Sequence, residues 1–311
     1  MQQERKNIMT DNNVTHSDMT ENEYLAQYNI ANFDRPSLAT DIVLLSLLRN
    51  KKDADIKSVN AHALQILLIK RASHPCKDKW ALPGGFCRPN ESVYETAKRE
   101  LKEETNIQNA ELQLSGIFSK QNRDPRGWII STAWLGLVDR YKYKLRAETD
   151  AWEAAWFTII ELNSKITNST MSQTEYTHTL TLKNEKSEEI LIAETKETII
   201  LNKNITESIY TNVTNPFAFD HNEIIIKTLV EFREKIKEDI RPVFNLLPTK
   251  FTLGEVETAY EFIIGCPASN FRRKIANYVV QTNEFAEVQG FRPAKLYVRN
   301  SSKFVNRMHT T

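Results

Sequence analysis

Apolar positions along this chain follow two rhythms. Asp41 to Leu48 and Leu64 to Ile69 are near-continuous apolar runs, the pattern of strands buried on both faces. Ile129 to Val138 reads as another strand and Ala154 to Phe157 as a short one. Between them Val93, Ala97 and Leu101 recur every fourth residue and mark a helix with one buried stripe. Ser92 followed by Glu95 forms a capping box at its start, and Asn106 stands where the helix should end in the left-handed conformation. One helix inserted among strands predicts a mixed α/β sandwich.

Beyond Leu162 the texture changes. Residues 163–215 are rich in Thr, Asn, Lys and Glu; Tyr176, His178, Leu180 and Leu182 alternate with threonines, and Ile190 to Ala193 follow the polar turn Lys183 to Lys186. Alternation on both sides of a turn predicts a β-hairpin, expected either to extend the sheet or to contact a second subunit, with His178 on the strand surface. From Asp220 the period becomes helical. Ile225, Leu229, Phe232 and Ile236 share a face; Thr252 to Ile264 makes a second helix closed by Gly265 and Pro267; Asn270 to Val279 makes a third. Phe285 to Val288 and Phe291 to Val298, around Gln289-Gly290, read as two short strands. Helix, helix, basic helix and hairpin is the order of a winged helix-turn-helix. The expected division is therefore a disordered tail over 1–22, a first domain over 23–162, a β-rich insert or connector completing it over 163–215, and a winged helix over 216–311.

Composition changes this picture in three ways. A length of 311 residues suits two domains, and Lys+Arg 41 against Asp+Glu 40 argues against a surface built to bind polyanions throughout. Cys76, Cys87 and Cys266 are few and scattered, so neither a disulfide framework nor a zinc site is expected, and Cys87 reads as a small filler. Residues 1–22 lack the apolar stretch of a signal peptide, and the run Ile42 to Leu48 is too short to span a bilayer, so a cytoplasmic protein without membrane contact is expected.

The positive charge is local. From Pro267 onward Arg272, Arg273, Lys274, Arg292, Lys295, Arg299, Lys303 and Arg307 face only Glu284 and Glu287. Such a surface suits duplex DNA. Ser269, Asn270, Arg272 and Arg273 are the base or phosphate candidates, with Lys274 beside them, and Lys295 and Arg292 on the wing are candidates for phosphates or the minor groove. A helical appendage packed on the first domain or on a second subunit is the plainer alternative.

The most specific chemistry lies on the first helix. Glu100, Glu103 and Glu104 stand at i, i+3 and i+4, so three carboxylates meet on one side just after a glycine turn. Crowded carboxylates repel unless a cation neutralises them. Arg99 stands four residues before Glu103 and can orient it. Gly85, Glu91, Arg99, Glu100, Leu101, Glu103, Glu104 and Ile107 match the spacing of the Nudix box, with Asn106 in place of its last glycine. The chain resembles the Nudix hydrolase superfamily on these residues.

That resemblance implies a mixed α/β (α+β) sheet between helices, an α/β/α sandwich. It implies Mg²⁺ (or Mn²⁺) held by Glu100, Glu103 and Glu104, which with Arg99 form the catalytic set, and Gly85 letting the backbone approach metal and phosphate. The general base would be a box glutamate or one outside it, with Glu153 the weaker candidate. Arg35-Pro36-Ser37, running into Thr40-Asp41-Ile42-Val43, and Gln121 to Trp128 resemble the branch that handles ADP-ribose. Arg123 and Arg126 then offer forks to phosphate oxygens, and Phe86 or Trp128 a face to adenine. The alternative is that Asp124 to Gly127 is a turn with its own salt bridge.

Phe251-Thr252-Leu253, Tyr260-Glu261, Asn270-Phe271-Arg272-Arg273-Lys274 and Arg292-Pro293-Ala294-Lys295-Leu296-Tyr297 are similar to the Nudix-related transcriptional regulators of NAD metabolism, the NrtR family. This implies duplex DNA and a homodimer as partners besides a nucleoside diphosphate ligand, with ADP-ribose the leading candidate. Two functions follow: a Mg²⁺-dependent pyrophosphohydrolase coupled to a winged helix, or a regulator whose Nudix domain senses ADP-ribose with little or no turnover.

Overall fold

A computed structural model describes residues 19–49, 62–145, 153–202, 205–286 and 293–304. Met1–Pro36 form one unit, in which Glu21–Gln27 is a helix (α1) capped by the reciprocal Thr20 and Glu23 bonds and burying none of its residues. The expected tail falls largely outside the described residues, and the helix starts inside its last positions.

From Ser37 the chain forms a second unit. Its strands are β1 (Ser37–Arg49), β2 (His62–Lys70), β3 (Trp80–Ala81) and β4 (Gly84–Phe86), followed by helix α2 (Val93–Thr105), then β5 (Leu112–Phe118), β6 (Ile129–Val138), β7 (Glu153–Ser169), β8 (Gln173–Asn184), β9 (Ile190–Asn202) and β10 (Ile205–Thr214). They join into one sheet in the order β10-β9-β8-β7-β2-β1-β6-β5, with β3 on β2 and β4 on β1. β1 pairs parallel with β6 and antiparallel with β2. As the unbroken apolar run of β1 demands, its two faces belong to different cores. Val43, Leu45 and Leu47 face one cluster, Ile42 and Leu44 the other.

Ala97 and Leu101 of α2 cover the second face. The first face is covered by α3 (His221–Glu238), α4 (Leu253–Ile264) and a short α5 (Phe271–Ile275), which precede a hairpin of β11 (Val279–Ala286) and β12 (Ala294–Arg299). Phe244, Phe251, Val256, Phe271 and Ile275 share a single core with Leu45 and Phe157 of the sheet. The winged helix is thus packed into the sandwich through α3 and α4, not strung behind it.

Two elements depart from expectation. The hairpin expected over 163–215 is a four-stranded meander, because β7 does not stop near Phe157 but runs on to Ser169 through two bulges. Its polar half, Asn163 to Ser169, is exposed, and the single apolar residue Ile166 sets up no period. Of the two options for this segment the sheet extension is the one seen. The third helix expected over Asn270 to Val279 has only five α-helical residues and a 3-10 turn, Ala276–Tyr278, before the β-branched pair Val279-Val280 starts a strand. The expected turn Gln289-Gly290 lies outside the described residues.

Candidate functional site: a carboxylate cleft roofed by a C-terminal helix

The cleft is assembled where α2 meets β4. Ser92 and Glu95 form the capping box, and Asn106 ends the helix in the left-handed conformation (φ 63°). With Ala97 and Leu101 turned to the core, Glu100 and Glu104 face the glycines of β4. Glu104 Oε2 accepts the Gly84 N–H at 2.9 Å. A side chain at Gly85 would overlap the Glu100 carboxylate, and one at Gly84 would overlap the Thr40 carbonyl. Both glycines are therefore set by close approach, as β4 lies on Ala39 to Asp41 of β1.

Arg99 organises the box. Its guanidinium donates to Glu91 at 2.7 and 3.0 Å, to Glu100 at 2.5 Å, to Glu103 at 3.2 Å and to the Phe86 carbonyl at 3.1 Å. These bonds hold the Glu91 carboxyl down at about 2, the Arg99 contact being the main cause. Arg99 is a positioning group on this geometry. Glu104 behaves oppositely. Burial, with Glu100 and Asp41 nearby, outweighs the Gly84 bond and the Arg71 charge and pushes its carboxyl up to about 8.

The three box carboxylates do not form a ready cage, contrary to expectation. Among the described residues no three His, Cys, Asp or Glu groups are gathered tightly enough to hold a metal ion. Arg99 draws off Glu100, and Arg99 with Arg88 draws off Glu103, whose carboxylate is 3.4 Å from the latter. The chemistry nevertheless fits a hard divalent cation. Glu100 and Glu104 both approach β4, Glu104 is crowded by like charges, and the buried Thr40 hydroxyl lining the cleft has no hydrogen-bond partner among the described residues.

Sequence reasoning missed His221 and Arg71 here, and named Asp41 only within the segment Thr40 to Val43 without giving it a role. Asp41 is buried within β1, where Ser131 donates to it and His221 Nε2 lies 3.3 Å away. His221 Nδ1 accepts the Leu82 N–H at 2.9 Å, so Nε2 carries the ring proton toward Asp41. Burial raises the Asp41 carboxyl, but His221, Arg123 and Ser131 outweigh it and hold it low. The segment Thr40 to Val43 was the signal available for Asp41. His221 stands 139 positions from its Leu82 partner, beyond any local pattern.

The arginine expectations divide. Arg123 is not a free fork for phosphate: its side chain is 5% exposed and doubly bonded to Asp220 at 2.7 and 2.9 Å. Arg126 pairs with Asp124 at 2.6 Å, as the turn reading expected, yet it also lies over the Phe86 ring at 4.8 Å and the Phe219 ring at 5.1 Å. Arg71 stacks on Phe219 at 4.9 Å. Phe86 lines the cleft, whereas Trp128 does not. Glu153 sits outside it, 3.9 Å from Lys70.

Of the DNA candidates, Asn270, Arg272, Arg273 and Lys295 are exposed. Lys274 is spoken for: it donates to the Tyr260 hydroxyl at 2.5 Å and the Lys237 carbonyl at 3.1 Å, and lies 4.4 Å over the Tyr260 ring. Arg299 is likewise inside the fold, bonded to Asn245 and the Phe244 carbonyl. Arg292 lies outside the described residues.

Comparison with known proteins identifies both domains. The NUDIX domain matches residues 53–180, and the NrtR DNA-binding winged helix domain matches residues 243–298. The chain carries a Nudix domain and an NrtR-type winged helix domain. It is similar, at 25% identity over 283 residues (89% of it and 88% of the relative), to the ADPR responsive transcriptional repressor NtrR of Acinetobacter baylyi. Over 98 residues, 32% of this chain and 57% of the relative, it is 43% identical to the ADP-ribose pyrophosphatase of Methanocaldococcus jannaschii. Among solved structures, a MutT/nudix family protein from Enterococcus faecalis matches at a TM-score of 0.60 and 27% identity, over 90% of this chain and 94% of that one. Shewanella oneidensis NrtR complexed with a 27mer DNA shares the fold at a TM-score of 0.52 and 21% identity, over 84% and 93%. β9, β10 and α3 fall between the two matched domains. Among the described residues no helix is long and apolar enough to cross a membrane.

Proposed function

We propose that this chain is an ADP-ribose-responsive DNA-binding regulator whose Nudix cleft keeps the groups for Mg²⁺-dependent pyrophosphate hydrolysis. One observation carries the coupling. α3 reaches the cleft at its first residue, where His221 bonds Leu82 and faces Asp41, and reaches the winged helix near its last, where the Lys237 carbonyl holds Lys274. Arg233 between them donates to Ile263 of α4 and Leu162 of β7. An 18-residue helix spans about 27 Å. Any shift of Asp41 or the Leu82 loop on ligand binding is therefore passed along α3 to Lys274 of α5, the helix that also bears Arg272 and Arg273. The similarity to the Acinetobacter repressor over most of both chains supports this reading.

Hydrolysis is supported by the complete set of box carboxylates and by the archaeal pyrophosphatase relative. Glu100, Glu103 and Glu104 would hold Mg²⁺, which when bound neutralises charge on the pyrophosphate and lowers the pKa of a water. The protein's own share is positioning: Arg99 sets Glu100 and Glu103, Gly84 sets Glu104, and Arg71 and Arg126 bring cationic groups over the cleft. A homodimer follows from the two-fold symmetry of operator sites that winged helices read.

A gel shift with the DNA upstream of its own operon tests regulation. Salt-sensitive binding that ADP-ribose weakens or strengthens about 5-fold or more is expected; binding indifferent to ADP-ribose rejects the coupling. AMP release from ADP-ribose and Mg²⁺ tests the chemistry, with Glu103→Gln and Glu104→Gln as controls.

A further inference from the structure

A chamber of about 450 Å³ adjoins the cleft. Three separate stretches wall it: the loop 120–123 after β5, the outer edge of β10 at 209–212, and the start of α3 at Phe219, Asp220 and Glu223. It shares Arg123 and Phe219 with the box cleft, so the two volumes meet across those side chains. The cleft itself encloses about 90 Å³. Sites that enclose a whole small ligand run to roughly 300–1,000 Å³. For a ligand anchored by its phosphates at Gly84 and Gly85, the passage past Arg123 and Phe219 leads its remaining groups into the adjoining chamber.

The walls there are built and polar. Lys120 Nζ is held 2.8 Å from both oxygens of the buried Glu223 and donates to the Tyr210 carbonyl, which places the outer edge of β10 against the chamber. Asp220, also buried, accepts from Arg123 through both oxygens. Two cations against two carboxylates leave no net charge to attract a further phosphate. Each carboxylate oxygen has spent one lone pair and keeps a second for another donor. The amides of Gln121 and Asn212 add donors and acceptors on opposite walls. An apolar group would strand these atoms, whereas a group dense in hydroxyls answers both donors and acceptors.

We propose that this chamber is the subsite for the ribosyl end of a nucleoside diphosphate sugar, so that β10 and the first turn of α3 set ligand specificity. The inference rests on the cleft being the pyrophosphate site. It gives a role to the strands outside both matched domains: they supply the wall that tells a sugar-bearing ligand from the bare nucleoside diphosphate. It also places ligand hydroxyls directly on the helix that carries the winged helix.

Calorimetry of the full chain with Mg²⁺ and the α,β-methylene analogues of ADP-ribose and ADP, whose P–C–P link water does not cleave, tests this. The parent should bind the ribosyl analogue about 10-fold tighter or more. Asn212→Trp and, from the opposite wall, Gln121→Trp fill the chamber from exposed positions. Each should erase that preference while leaving affinity for the ADP analogue within about 2-fold, the expected result for a group that touches only the sugar. Equal binding of both analogues by the parent, or a preference surviving in both filled variants, overturns the chamber and leaves the cleft reading standing. If the parent binds neither analogue, the cleft reading falls and the chamber with it.

Discussion

Two glutamates, Glu197 on the sheet and Glu104 on α2, have opposite fates. Glu197, on β9, accepts from the Tyr210 hydroxyl at 2.8 Å and pairs with His178 Nε2 at 2.9 Å, while His178 Nδ1 meets the Ser164 hydroxyl at 2.8 Å. Burial raises its carboxyl, but His178, Tyr210 and Ser208 more than offset that and hold it low. Glu104 is half-buried and receives one backbone N–H; burial first, and then the nearby Glu100 and Asp41, push its carboxyl up to about 8. The first is a finished network that locks four strands together. The second is a carboxyl that the Gly84 N–H and the Arg71 charge do not bring back down, the mark of a position kept for a ligand and not for stability. The expectation that His178 lies on the strand surface fails for the same reason: it is 1% exposed, because α3 packs over this face of the meander.

The sharpest way to break the contrast is to neutralise both. Glu104→Gln should lower Mg²⁺-dependent AMP release by about 10³-fold. The same change should stabilise the metal-free protein by about 2 kcal/mol at pH 9 in urea unfolding. Its raised carboxyl costs stability progressively as pH climbs from the unfolded value of 4.5 through about 8, so the gain should vanish near pH 4.5. Glu197→Ala should do the reverse, costing about 3 kcal/mol by stranding His178 and Tyr210 and leaving turnover per folded molecule unchanged. Because the Glu197 carboxyl is held low, its contribution is full above 4.5 and is lost as pH falls through its folded value. A variant with undiminished stability would mean that the network is not a structural lock.

Smaller effects sharpen the reading of α3 and α5. His221→Asn should leave DNA binding intact but cut the ADP-ribose effect on it to below about 2-fold, since only the cleft end of α3 is altered. Arg272→Ala and Arg273→Ala should each weaken DNA by about 1 kcal/mol and flatten its salt dependence by about one unit in log–log slope. Lys274→Ala, by contrast, should cost about 1 kcal/mol of folding stability, because its bonds go to Tyr260 and Lys237. If its loss instead acts on DNA affinity alone, the division within α5 is wrong.

What the sequence alone determined is what depends on near neighbours along the chain. Ser92 with Glu95, the stripe Ala97 and Leu101, the carboxylates at i, i+3 and i+4, the stop at Asn106 and the charge on α5 all follow from helical geometry, and each stands where the spacing put it. Tertiary structure decided the rest. Arg123 looks like a phosphate fork until Asp220 is folded beside it, His178 like a surface residue until α3 covers its strand, and Asp41 like a strand start until His221 arrives from the C-terminal part. These pairings are set by sheet register and by the packing of α3, which bring together residues with no fixed spacing, so no local period encodes them.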